Sequence, residues 1–172
     1  MASQNSEGDF GTNLQQAESG FVASPRLRES LQKVLVDLLD LQLVGKQAHW
    51  NVVGPNFRDL HLNLDEVVGI ARAGSDEVAE RMRALHATPD GRSKVVSAYS
   101  SLPDFAPGEV GTHEAIRVMA QAVEATVRTM RNASPTVDEE DTSSTGILDD
   151  LILKLEQQAW FLSAELRTPN KA

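Results

Sequence analysis

His49, His61, Asp65, Asp76 and Glu80 are the residues of this chain whose types and spacing could do chemistry. Imidazoles and carboxylates with open positions suit Fe(II), and oxygen donors stabilise Fe(III) more strongly, so a site built from them suits iron oxidation. The last four lie on one helical stretch. At about 100° per residue, Asp65 sits roughly 40° round from His61, Asp76 roughly 20° from Asp65, and Glu80 roughly 40° from Asp76. All four share a face. They cannot share a site within one chain, because at about 1.5 Å per residue His61 and Glu80 are roughly 28 Å apart along the axis. A second, antiparallel copy of the helix, related by a two-fold axis between residues 70 and 71, removes the difficulty. His61 then faces Glu80 of the partner subunit, and Asp65 faces Asp76 of the partner subunit. Gly69 lies near that crossing, where a missing side chain lets two backbones approach. Such an isologous dimer has two identical sites, each with donors from both chains.

These donors need elements to position them. Ser24-Pro25 has the form of an N-cap followed by proline at the first helical position. Apolar or small residues at 27, 31, 34, 38, 41, 45 and 48 then make a bundle seam. Gly54-Pro55 ends this helix, swinging His49 back beside His61, and Asn56 is placed to cap the next. The second helix carries Phe57, Leu60, Leu64, Val67, Ala71, Val78, Met82 and Leu85 as a core stripe. That stripe is centred roughly 100° from the ligand face. Pro89-Asp90-Gly91 breaks the helix, and a long crossover follows with a short helix at 94–101. A third helix fits 110–132, with Ile116, Met119, Val123, Val127 and Met130 inward. Ser134-Pro135 stops it, and Asp138 to Asp141 form an acidic loop. A fourth helix fits 143–167, with Leu148, Leu151, Leu155, Leu162 and Leu166 inward. No segment alternates convincingly as a strand. The expected fold is all-α: a ferritin-like four-helix bundle with one long crossover between the second and third helices. The division is a flexible tail at 1–24, a bundle domain at 25–167 and a short tail at 168–172.

The whole chain bounds the rest. Its 172 residues suffice for one domain with a substantial core. A formal net charge of −9 opposes general nucleic-acid binding and attracts cations. With no cysteine there is neither a disulfide nor a thiolate metal site. No apolar run approaches the ~20 residues of a membrane span, and the N-terminus lacks signal-peptide form. A cytoplasmic protein, free or nucleoid-associated, is expected.

His49-Trp50-Asn51, Gly54, Phe57, His61, Leu64-Asp65-Glu66, Asp76 and Glu80 resemble the signature of the Dps family, the DNA-binding proteins of starved cells within the ferritin-like superfamily. The resemblance covers about residues 25–167. It implies an inter-subunit iron site made by His49, His61 and Asp65 of one subunit with Asp76 and Glu80 of the partner subunit. It also implies a hollow homododecamer that oxidises Fe(II), with hydrogen peroxide in preference to oxygen, and stores ferric mineral. The family's matching tryptophan intercepts oxidising equivalents, which gives Trp50 a second reading beside packing. A three-fold pore lined by Asp141 and Asp149 follows from the same resemblance, with Gly146 where many relatives carry another acid. The residues agree with an interface site on independent grounds: no Glu is followed three residues later by His, the pair that ordinary ferritins use inside one bundle.

Other readings stand beside these. Asp76 and Glu80 could pair with Arg72 and Arg83 on a solvated face. Asp65 could orient an imidazole instead of binding metal. Trp160 reads as a packing residue, and His86 and His113 as surface residues. Relatives that bind DNA use Lys/Arg-rich tails, but the first 25 residues here hold no Lys or Arg, and the C-terminal tail offers only Arg167 and Lys171. DNA binding is therefore expected to be weak or absent, since affinity grows with the phosphates neutralised. The alternative functions are nucleoid compaction and a metal-dependent hydrolase in which the metal activates water.

Overall fold

In the computed structural model, which describes residues 20–168, Ser24 caps the first helix. Its hydroxyl accepts from Leu27 N at 3.1 Å, and Pro25 at the first position gives up only an N–H that would have no partner. The helix, α1, runs Pro25–Asn51, followed by β1 (Val52–Val53) and α2 (Phe57–Ala84). The crossover carries α3 (Ser93–Tyr99) and β2 (Val110–Gly111), and α4 (Thr112–Glu140) and α5 (Thr142–Glu165) complete the chain. The fold is a ferritin-like bundle in which α1 packs on α2 and α4, and α5 on α4 and α2. Within the described residues, no helix is long and apolar enough to cross a membrane.

The predicted seams are the core. Leu27, Leu31, Val34, Leu38, Leu41 and Ala48 of α1 are buried, as are Leu60, Leu64, Val67, Ala71, Val78 and Met82 of α2. Each fully buried leucine contributes about 2 kcal/mol of transfer free energy. Gly74 of α2 lies hard against α5: a Cβ there would lie 2.6 Å from Leu151 Cδ2. The crossover is pinned to α1 by a buried acid, since Ser101 donates to Asp37 from its N–H at 2.9 Å and its hydroxyl at 2.6 Å.

Several expectations are corrected. Pro135 does not stop the third long helix; α4 passes through it to Glu140. Proline removes one amide donor, and the carbonyl it strands belongs to Arg131, on an exposed turn where water can serve it. Val137, fully buried one turn on, rewards continuing. Asp138, Glu139 and Glu140 are consequently the last turn of α4, and Asp141 alone joins it to α5. Asn56 occupies the cap position of α2 in a left-handed conformation (φ 59°) and makes no side-chain cap bond. Phe57 is 42% exposed and not part of the core. The short helix spans Ser93–Tyr99 instead of 94–101. The strand pair, Val52 with Val110 and Val53 with Gly111, is parallel and too short to leave an alternating pattern. The expected tails fall outside the described residues except for 20–24 and Thr168.

Candidate metal centre

The end of α1 and the start of α2 converge because the chain reverses tightly between them. Gly54 sits at φ 123°, a conformation that favours glycine, and its carbonyl accepts from Phe57 N at 3.3 Å. The reversal lays the ring of His49 on that of His61, with centroids 3.6 Å apart and planes 25° from parallel. Each imidazole is held by the other residue's backbone: His49 Nδ1 lies 3.1 Å from the His61 carbonyl, and His61 Nδ1 lies 3.0 Å from the His49 carbonyl. A carbonyl oxygen can only accept, so both Nδ1 atoms carry the proton. In the neutral ring this tautomer puts the lone pair on Nε2, the form in which imidazole binds a metal.

Asp65, one turn beyond His61, completes the group. One ligand atom from each of His49, His61 and Asp65 lies within 4.8 Å of the others, a set that could hold a metal ion. Asp65 Oδ1 is also 3.3 Å from His49 Nδ1, so the carboxylate both orients one imidazole and offers itself to a cation. The Lys46 ammonium lies 2.9 Å from the same oxygen, and its hydrogen bond and charge outweigh partial burial and hold the Asp65 carboxyl below its ordinary range. His49 is buried, His61 half-buried and Asp65 exposed, which leaves the group open on its carboxylate side. Phe57 closes on His61 with ring centroids 5.1 Å apart.

Asp76 and Glu80 are elsewhere. Both are exposed on the later half of α2, and neither joins His49, His61 or Asp65 within this chain. Nor do they form the ion pairs with Arg72 and Arg83 that a solvated face would invite; among the described residues neither acid has a salt bridge, and Arg83 donates to the Ala87 carbonyl and Thr88. Gly69, Arg72, Asp76 and Ala79 of α2, with Leu35 and Leu39 of α1, line an open groove along this face. At Gly69 a Cβ would meet nothing within 4 Å.

The other candidates separate. Trp50 is 69% and Trp160 60% exposed, so neither is a core packing residue in this chain. His86 and His113 are exposed. Asp141 is committed: Arg81 donates to it at 2.7 Å and Ser144 also donates to it. Burial pushes its carboxyl up, but the Ser144 and Arg81 hydrogen bonds and the Arg81 charge outweigh burial and hold it below the ordinary range. Asp149 is exposed in a groove with Asp138, Thr145 and Arg131. Lys46 is the participant that the sequence pattern did not single out. Its spacing from His49, three residues on one helix, was the available signal.

A four-helix bundle with one long crossover is the ferritin-like class. The ferritin-like domain family matches residues 28–172. The fine tangled pili major subunit of Haemophilus ducreyi is 31% identical over 144 residues, covering 84% of this chain and 76% of that protein. The DNA protection during starvation protein of Mycolicibacterium smegmatis is 30% identical over 138 residues, covering 80% and 75%. DNA protection during starvation protein 2 of Deinococcus radiodurans is 31% identical over 140 residues, but this chain spans only 58% of its length. Among solved structures, Dps from Microbacterium arborescens in the high iron form superposes with a TM-score of 0.78 at 29% identity, over 86% of this chain and 99% of that one. Mycobacterium smegmatis Dps in its tetragonal form gives 0.80 at 27%, over 87% and 94%. The chain belongs to the Dps family of the ferritin-like superfamily.

Proposed function

We propose that this protein oxidises and stores iron. Fe(II) is bound by His49, His61 and Asp65 of one subunit together with Asp76 and Glu80 of the partner subunit. Two Fe(II) ions each give one electron to hydrogen peroxide; its O–O bond breaks, two protons are taken up and two water molecules leave. The Fe(III) product is stored as mineral inside a hollow homododecamer assembled from the 25–167 domain. Asp149 borders the entry pore, while Asp141 serves the α4–α5 junction. Removing Fe(II) and peroxide together protects DNA from hydroxyl radical. Oxygen is the slower oxidant.

The observation that carries this reading is the pair of imidazoles whose Nδ1 atoms are both held by backbone carbonyls beside Asp65, leaving both Nε2 atoms free. Such outer hydrogen bonds fix the tautomer and orientation of metal-binding histidines, and their loss typically costs ~10–100-fold in affinity or activity. The carboxylates of the partner subunit supply the hard oxygen donors that favour Fe(III). Anaerobic loading with Fe(II) followed by stoichiometric peroxide tests the proposal. Rapid growth of ferric absorbance with iron kept soluble is expected, together with its collapse in Asp76→Ala/Glu80→Ala. A rate equal to protein-free buffer would overturn it. Duplex DNA binds weakly at physiological salt, given the net charge of −9; a tight complex in a gel shift at that salt would contradict this.

A further inference from the structure

The Lys46 ammonium stands where this chain's own anionic donor would meet a metal. Its Nζ lies 2.9 Å from Asp65 Oδ1, and the same nitrogen is 5.8 Å from the centroid of the Trp50 ring. Lys46 and Trp50 are four residues apart on α1, on one helix face. An indole face attracts a cation within about 6 Å of its centroid, so the ammonium already sits between two seats. One is the carboxylate and the other the ring.

A divalent ion bound to Asp65 would compete for the Oδ1 atom that the Lys46 ammonium already holds at 2.9 Å. Like charges this close repel, and the lysine is the mobile one: a compact charge on a flexible four-carbon stem, with no planar fork to lock it in place. The first seat is lost to the metal and the second is available at a short swing.

We propose that Lys46 is a place-holder cation: it occupies Asp65 until a divalent metal ion arrives, and then moves onto the face of Trp50. The role rests on the metal site described under the proposed function. It makes Lys46 a positioning residue that sets the affinity threshold of the site. It also makes Trp50 a reporter of occupancy, because a cation seated on an indole alters its emission.

The test uses the full-length protein in a Trp160→Phe background, which leaves Trp50 as the remaining one of two tryptophans. Zn(II), which has no redox chemistry, is titrated while heat and tryptophan emission are followed together. Emission is expected to change in step with Zn(II) binding. Lys46→Gln should bind Zn(II) about five- to tenfold more tightly, the scale of a lost exposed ion pair plus relieved repulsion, with a flat emission. Lys46→Arg should restore the emission change, since a guanidinium also stacks on indole. Unchanged affinity and emission in Lys46→Gln would overturn the role. A tighter Lys46→Gln site whose emission still changes would overturn the move onto Trp50. His49→Ala/His61→Ala separates the two levels. Zn(II) binding that survives this double variant, or that is absent from the parent, removes the metal site and this inference with it. Binding lost there while Lys46→Gln behaves as its parent removes only the place-holder.

Discussion

The two halves of α2 carry similar side chains in opposite states. In the first half, His61 and Asp65 are engaged with His49, Lys46 and a backbone carbonyl, and every donor is oriented before any metal arrives. In the second half, Asp76 and Glu80 stand exposed on the same helix with no ion pair among the described residues. The difference comes from chain connectivity. A tight reversal at Gly54 folds the end of α1, with Lys46 and His49, onto the first half, whereas the turn after the second half brings Pro89 and Gly91 to the groove, and neither carries a donor side chain. One half is an assembled group of donors; the other is a pair of exposed carboxylates, with Asp76 on an open groove.

The comparison breaks most sharply at the ligands. His61→Ala should lower Zn(II) affinity at least about 100-fold, whereas Asp76→Ala/Glu80→Ala should keep a weaker but measurable Zn(II) site while abolishing fast peroxide-dependent iron oxidation. Equal loss of Zn(II) binding in the two variants would show that the first half is not self-sufficient. The α2 glycines give the next effect. Gly74→Ala drives a methyl to 2.6 Å from Leu151 Cδ2 and should cost about 1–2 kcal/mol in denaturant unfolding, because overpacking outweighs the gain in helix propensity. At Gly69 an added Cβ meets nothing within 4 Å in this chain, so the cost of Gly69→Leu should appear mainly as weakened two-fold association in sedimentation. If Gly69→Leu assembles normally, the two-fold crossing does not lie there.

The smallest effect lies at the far end of α2. Arg81 and Asp141 form a largely buried pair with Ser144, and Asp141→Asn should cost about 1 kcal/mol at neutral pH, discounted for the part of Arg81 that reaches solvent. The folded carboxyl lies below its ordinary value of 3.8, so the contribution is complete above that value. It disappears as pH falls through the lowered folded value. Thermal melts of wild type and Asp141→Asn should therefore differ by a constant amount from neutral pH down to mild acid and converge only in stronger acid. Convergence at pH 5 to 6 would assign the difference to another group.

Periodicity made the bundle legible because its seams repeat at helical spacing over long stretches, and Gly54-Pro55 is a reversal that few sequences can disguise. The ligand face of α2 was legible for the same reason, since angle and rise are fixed by helix geometry. What escaped was decided by tertiary context. Pro135 carries the strongest helix-stopping signal in its segment, yet burial of Val137, on a helix whose Arg131 turn is exposed, outweighs it. Phe57 has the right spacing for the core, but it stands in the first turn, over His61, where the bundle no longer covers it. The Lys46 contact pairs residues from two helices; its spacing from His49 marks a shared face of α1 but not the Asp65 that it reaches.

The parallel pairing of Val52–Val53 with Val110–Gly111 gives the molecule a clasp. Because it ties the end of α1 to the start of α4, everything from Gly54 to Glu109 is a single excursion that leaves and returns through one neck. The chain is in effect two helical hairpins, α1–α2 and α4–α5, whose covalent link through the crossover is mechanically redundant once the clasp and the shared core have formed. A break between Asp104 and Gly108 would leave two fragments, each owning one complete hairpin and one half of the clasp. The first would keep His49, His61, Asp65, Asp76 and Glu80 together, so the metal-binding apparatus is confined to a piece that could be exchanged or recombined without disturbing its donors.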